Sequence, residues 1–193
     1  MMRIITGSAR GKKLATLEGE ATRPTSERIK GAIFSSIQFE IENRRVLDLF
    51  AGCGQMGLEA LSRGAETATF IDSSREAMEI VKQNAKATSL DGRCKYLVSD
   101  YRNYIRKASG RAEFDLVFID PPYAMECAVD AAAALKRAEL LLVGALVVLE
   151  TGTETVDPSD NRLQGFELIK SASYGKMTSV NIFVYRGREA EDE

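Results

Sequence analysis

The stretch VLDLFAGCGQMGLEAL, residues 46–61, joins a short apolar run to a helical pattern through three glycines. Gly52, Gly54 and Gly57 stand in GxGxxG spacing, and Asp72 follows Gly52 by twenty residues, at the end of the next apolar run. Glycines in such a turn let the backbone approach a nucleoside, and the spaced acid meets ribose hydroxyls. Asp48 narrows the choice of ligand. An anion just ahead of the glycines repels a pyrophosphate, which a dinucleotide would place at the helix N-terminus. It suits an ammonium. S-adenosyl-L-methionine has no phosphate, and its amino-acid end carries that ammonium. The series Asp48, Phe50, Gly52, Gly54 therefore favours this ligand over NAD, although a nicotinamide oxidoreductase shares the GxGxxG pattern.

Outward from this loop, apolar runs recur at Val46–Phe50, Thr67–Ile71, Lys95–Val98, Leu116–Ile119 and Leu146–Leu149. Nearly unbroken runs of this kind are expected for strands buried on both faces of a parallel sheet. Helical patterns alternate with them. Met56–Arg63 follows the glycines, and Ser74–Thr88 opens on a serine cap and lines up Ala77, Ile80, Val81 and Ala85. Glu126–Leu142 is rich in Ala and Leu. Strand alternating with helix predicts a doubly wound α/β sheet. Phe166–Ser173 and Ser179–Arg186 flank a Tyr-Gly-Lys turn and read as a closing antiparallel hairpin.

Three acids fall at successive strand ends: Asp48, Asp72 and Asp100. Open α/β sheets bind ligands at that carboxyl edge. Helix capping is the plain alternative for each acid taken singly. Asp100 would accept from an adenine amino group with Tyr101 beside the ring; Ala51 and Ser73, which flank the loop and the second acid, and Asp120, after the fourth run, are further cofactor-lining candidates.

The fourth run ends in Asp120-Pro121-Pro122-Tyr123. Two prolines after a strand can serve simply as its terminator. With Asp120 and Tyr123 they also make a platform for a planar exocyclic amine. The Asp120 side chain and a carbonyl near Pro121 accept its two protons, and Tyr123 offers a face for stacking. An aromatic amine is a poor nucleophile because its lone pair is delocalised. Positioning two reactants can remove roughly 7–11 kcal/mol of barrier. The amine becomes acidic only once methylated, so no strong base is needed first; Asp120 could take the proton, directly or through water, without being an obligatory base.

The chain has 193 residues, 45% hydrophobic and 28% charged, with a net charge of -2, as in ordinary globular proteins. It contains no histidine, which removes imidazole bases, Ser-His-Asp triads and His-ligated zinc. Cys53, Cys94 and Cys127 are widely spaced, so neither a disulfide framework nor a metal site is expected. Cys53, with no activating base beside it, is not expected to be a nucleophile. No signal peptide or membrane span is read, and a cytoplasmic protein is expected. Charge is unevenly distributed. Residues 1–31 hold seven basic and three acidic side chains, while the remainder is acidic. Arg3–Thr6 and Lys12–Thr16, joined by GSARG, read as a small hairpin whose Arg3, Arg10, Lys12 and Lys13 would neutralise phosphates. TRPTSERIKGAIFSSI then starts a helix with Ile29, Ile33, Phe34 and Ile37 on one face. The domain reading is a basic hairpin extension over 1–22, a catalytic domain over 23–188 and an acidic tail over 189–193.

The segments RIITGSARGKKL, TRPTSERIKGAIFSSI, VLDLFAGCGQMGLEALSRGA, FID, SDY and FDLVFIDPPY span most of residues 3–123. Together they resemble the bacterial 16S ribosomal RNA guanine-N2 methyltransferases, a branch of the class I S-adenosylmethionine-dependent enzymes. YGKMTSVNIFVY near the end is similar too. The resemblance implies a Rossmann-like seven-stranded, mostly parallel sheet with its last pair antiparallel, and an N-terminal hairpin that meets RNA. It implies Asp48, Phe50, Gly52, Gly54, Asp72, Asp100 and Tyr101 around the cofactor, and Asp120, Pro121, Pro122 and Tyr123 around the target guanine. Arg23 and Thr25 would stand near the active-site mouth. No metal is implied. The partner would be 16S rRNA, free or within a partly assembled small subunit, and the enzyme a monomer. The chain departs from the family at Cys53, Gln55 and Met56, where a serine and smaller residues are usual, and at Lys30-Gly31, which replaces an Arg-Glu pair. The DPPY motif also serves amino methyltransferases of DNA adenine and of protein amides, and the same fold without catalysis would be an RNA-binding module.

Overall fold

The computed structural model describes residues 2–17, 25–110, 113–175 and 177–187. The chain folds as two units, Met1–Tyr104 and Ile105–Glu193.

In the first unit the basic segment closes on itself. Arg3 and Lys13 form an antiparallel bridge, Ile4 N–H donates to the Lys12 carbonyl at 2.9 Å, and Leu14 N–H donates to the Met2 carbonyl at 2.9 Å. Ile4, Ala9 and Leu14 are buried, so one face of this hairpin is core. Helix α1, Thr25–Ser36, buries Ile29, Ile33 and Phe34 at the expected helical spacing, with Ile37 buried just beyond its end. Then come β1 (Arg45–Asp48), α2 (Gln55–Ser62), β2 (Thr67–Asp72), α3 (Arg75–Ala87) and β3 (Cys94–Val98). Strand β2 pairs in parallel with β1 on one side and β3 on the other. Ser74 caps α3, its hydroxyl accepting from Ala77 N–H at 3.1 Å, a contact worth about 1 kcal/mol.

Helix α4, Tyr101–Ala108, follows directly. The second unit holds β4 (Phe114–Ile119), α5 (Ala128–Arg137), β5 (Leu141–Thr151), β6 (Phe166–Tyr174) and β7 (Thr178–Tyr185). Strands β4 and β5 are parallel, and β7 runs antiparallel to both β5 and β6, as the closing hairpin requires. The seven strands make a mixed sheet, the Rossmann-like α/β architecture expected.

Three expectations need correction. Strand β3 is not buried on both faces: Leu97 is 40% and Val98 46% exposed, because β3 is an edge strand beside β2. Helix α4 adds an element to the expected set, and Tyr101, Tyr104 and Ile105 form its helical apolar stripe. Helix α5 is shorter than Glu126–Leu142. Glu126 and Glu139 lie at φ 42 and φ 57, left-handed conformations that a helix cannot contain, and Leu141 already belongs to β5.

Candidate active site

The carboxyl ends of the first unit's strands gather the glycine loop and two of the acids. Asp48 ends β1 and is 3% exposed. One carboxylate oxygen accepts from Gly57 N–H at 3.0 Å. Burial pushes its carboxyl up to about 7; the Gly57 N–H works against this and Asp72 adds to it. Gly57 is required at this approach, since a Cβ there would come within 2.4 Å of the Phe70 ring. Gly54, at φ 79, turns the chain into α2, and its N–H donates to the Ala51 carbonyl at 2.6 Å. Asp72 ends β2 and ties the loop to the next helix, accepting from Gly52 N–H at 2.9 Å and from Ser74 N–H at 2.8 Å. Ser73 stands between that acid and the cap of α3.

Asp100 does what the plain reading allowed: it caps α4, accepting from Arg102 N–H at 3.0 Å and Asn103 N–H at 3.3 Å. Each carboxylate oxygen has more than one acceptor site, so these bonds leave capacity for a ligand. Tyr101 is buried, its ring 5.1 Å from that of half-buried Phe50 with the planes tilted by 48°. Thus Asp48, Phe50, Ala51, Gly52, Gly54, Asp72, Ser73, Asp100 and Tyr101 all lie on the first three strands' carboxyl ends or the segments that leave them.

In the second unit, Asp120 follows β4 and is half-buried, Pro121 is buried and Pro122 is exposed. Pro122 precedes a 3-10 turn over Tyr123–Met125, and its carbonyl accepts from Met125 N–H at 2.8 Å. The chain then turns at Glu126, whose carboxylate accepts from the Thr153 hydroxyl at 2.7 Å. Glu154 accepts from Ala128 N–H and Val129 N–H at 2.8 and 3.1 Å, capping α5. These two acids brace the segment after DPPY, a role that no local signal in the sequence marks.

On the basic head, Arg3, Arg10, Lys12 and Lys13 are exposed, and Arg3 lies 3.4 Å from Glu27. Thr25 is the first residue of α1. Arg23 and the tail 189–193 lie outside the described residues.

Three buried polar residues are also unmarked in the sequence. Lys30 and Glu59 pair at 3.5 Å, and Arg63 reaches the same carboxylate at 2.8 Å. Glu59 also accepts from Ile5 N–H and Thr6 N–H at 2.7 and 3.0 Å, while Lys30 donates to the Arg3 carbonyl at 2.6 Å. Burial lowers the Lys30 pKa, with Glu59 opposing it. Asn84 on α3 is 1% exposed. Its amide nitrogen donates to the carbonyls of Ala15 and Cys53, each at 2.9 Å, and its oxygen accepts from Ala15 N–H at 2.8 Å. One side chain thus holds the outgoing hairpin strand and the glycine loop. The departure at Lys30 from the usual family residue therefore lies in a buried network.

Residues 2–183 match the family model described as conserved hypothetical protein 95. YlbH of Bacillus subtilis is 33% identical over 187 residues, covering 96% of this chain and 100% of YlbH. Ribosomal RNA small subunit methyltransferase D of Haemophilus influenzae is 32% identical over 151 residues, 78% of each chain. The chain belongs to the methyltransferase D family. The solved structure of the methyltransferase-fold protein yhhF from Escherichia coli superposes with a TM-score of 0.83 at 28% identity, covering 97% of this chain and 99% of that one. As a member of the methyltransferase D family, the chain is an S-adenosylmethionine-dependent methyltransferase.

The residues fit that cofactor. Asp48, Asp72 and Asp100 are acceptors suited to an ammonium, ribose hydroxyls and an adenine amine, and no Lys or Arg interrupts residues 46–62. A buried carboxylate such as Asp48 also gains from a cationic ligand, which favours its ionised form. Among the described residues no three His, Cys, Asp or Glu side chains gather as a metal centre would need. Nor is any helix there long and apolar enough to cross a membrane.

Proposed function

We propose that this methyltransferase modifies the exocyclic N2 amino group of a guanine in 16S ribosomal RNA. The observation that carries the reading is the pair of motifs at strand ends: the acid-flanked glycine loop after β1 and DPPY after β4. Asp48 would hold the cofactor's ammonium, Asp72 its ribose, and Asp100 with Tyr101 its adenine. Bound there, S-adenosylmethionine supplies an electrophilic methyl on a sulfonium. Asp120 and the Pro121 carbonyl accept the two hydrogens of the guanine amine, which returns electron density to nitrogen and fixes the direction of its lone pair. Tyr123 is assigned to stack on the base. After transfer the amine has become acidic, and Asp120 accepts its proton directly or through water.

The exposed cations of the hairpin support an RNA substrate over a protein amide, because they suit a phosphate backbone. We assign 16S rRNA, free or within a partly assembled small subunit, as the substrate, with the enzyme acting as a cytoplasmic monomer. A tritium-transfer assay on free 16S rRNA, small-subunit particles, duplex DNA and a protein factor tests this. Label on rRNA or particles, mapped by mass to guanine N2, is expected. Label only on DNA or protein overturns it.

A further inference from the structure

Between the hairpin and α1 lies a cleft of about 480 Å³, lined by Arg3, Ile4, Ile5, Arg10 and Gly11 on one side and Glu27, Arg28 and Gly31 on the other. Ligand clefts span roughly 300–1,000 Å³, so this one has room for a single nucleotide unit. Its lining divides by chemistry. Three guanidiniums, from Arg3, Arg10 and Arg28, face one carboxylate, Glu27, so the cleft is cationic. Half-buried Ile5 and the two glycines supply a small apolar part, with Ile4 fully buried behind them. A bare phosphate would have no use for that part. A nucleotide uses both, since guanidiniums bind phosphate in a fork and stack on base faces, while a carboxylate accepts from a base's amino group.

The cleft is also built rather than incidental. Its hairpin wall is pinned from behind, where Lys30 donates to the Arg3 carbonyl and Glu59 accepts from Ile5 N–H. Glu27 draws the Arg3 guanidinium to 3.4 Å across it. Gly31 keeps it open: a Cβ there would meet only Ile5 Cδ1, at 3.9 Å, whereas Gly11 is accounted for by its φ of 82. Gly31 sits mid-helix, where glycine costs roughly 0.5–1 kcal/mol relative to alanine, and no close packing demands it there.

We infer that this cleft seats an unstacked nucleotide of single-stranded RNA, distinct from the methylated guanine, and so selects substrates whose flanking strand is unpaired. The inference rests on the rRNA reading and deepens it. A duplex presents its phosphates on a convex surface with its bases stacked away, and offers nothing that enters a concavity.

The test is fluorescence anisotropy with a labelled single-stranded RNA hexamer and a blunt duplex of the same sequence. The wild-type chain is expected to bind the single strand at least tenfold more tightly. Gly31→Leu, which fills the cleft, is expected to weaken hexamer binding tenfold or more, with thermal unfolding no lower than wild type and unchanged cofactor affinity. Arg28→Ala, a change at an exposed position, is expected to act in the same direction and covers the case in which Gly31→Leu misfolds. Hexamer binding unchanged in folded Gly31→Leu or in Arg28→Ala overturns the inference, as does equal affinity for single strand and duplex. Methyl transfer by the wild type to small-subunit particles is scored separately. If transfer persists while hexamer binding ignores both substitutions, the cleft assignment fails and the rRNA reading survives. If the wild type labels no rRNA, the rRNA reading fails whatever the hexamer does.

Discussion

Lys30 Nζ and Glu59 Oε2 stand 3.5 Å apart with side chains 1% and 0% exposed, and through them α1, α2 and the hairpin backbone meet. Such a pair adds little over apolar packing, but breaking it strands a charge. Glu59→Ala is expected to cost about 3–5 kcal/mol of stability. It also removes the acceptor used by Ile5 and Thr6 N–H. Chemical denaturation measures the loss, and a change below about 1 kcal/mol would contradict the role assigned to the pair.

The role proposed for Asp48 would make cofactor binding depend on pH. Its carboxyl is raised to about 7, so below that pH it must shed a proton before it can face an ammonium. Affinity is expected to fall by up to about tenfold per pH unit below 7, and Asp48→Asn to flatten the profile at lower affinity. The free protein should respond in the opposite sense. Folding raises this pKa, so the stability it contributes is present at low pH and lost as pH rises through about 7. Calorimetric titrations and melting curves at pH 5.5 and 8, compared between wild type and variant, check both signs.

Asp120→Ala should leave cofactor affinity within about twofold and lower turnover by roughly 10²–10⁴-fold, the range for a positioned proton acceptor. Asp120→Asn, which keeps one acceptor oxygen, should recover part of the loss. Single-turnover assays with saturating RNA decide between them. Near-normal turnover in Asp120→Ala would remove the residue from the chemistry.

Neutralising Arg10, Lys12 and Lys13 together should weaken RNA binding and flatten its dependence on salt. For a single strand, the log–log slope falls by about 0.7 for every phosphate that a cation ceases to neutralise. Affinity measured between 50 and 300 mM salt reads this directly. An unchanged slope would place the phosphate-binding cations elsewhere.

Asn84→Ala should destabilise the fold, because it leaves the Ala15 and Cys53 backbone groups without their partner, at roughly 1–3 kcal/mol for each buried group. It should also raise the cofactor dissociation constant by loosening Cys53 between Gly52 and Gly54. Chemical unfolding and calorimetric titration of the cofactor, run side by side on this variant, check both effects.

Local signals carry far into this fold. The glycine loop, β1, β2, β4 and the closing β6–β7 pair are legible because each rests on neighbours in sequence: apolar runs, turn residues and a capped helix. Lys30 and Glu59 are not, because each reads locally as an ordinary solvated charge. Glu59 lies between Leu58 and Ala60, and only tertiary folding brings Lys30 to it. Asn84 is hidden in the same way: its partners are Ala15 and Cys53, far off in the chain. The exposure of β3 depends on its place at the end of the strand order, which its own composition does not encode. Asp100 sits between these cases, since an acid at a strand end reads equally as ligand contact and helix cap, and the cap is present.

The hairpin's inward face bears on how this enzyme can be shortened. Ile4, Ala9 and Leu14 belong to the core, so a clone begun at residue 16 discards apolar burial worth roughly 1.5–3 kcal/mol for each large aliphatic side chain. It also leaves Glu59 and Asn84 facing water where backbone once stood. An arm that merely touched RNA could be trimmed to leave a working catalyst with blunted substrate choice. This one takes part of the first unit's core with it, so on the proposed reading grip on the nucleic acid and binding of the methyl donor would be lost at a single cut.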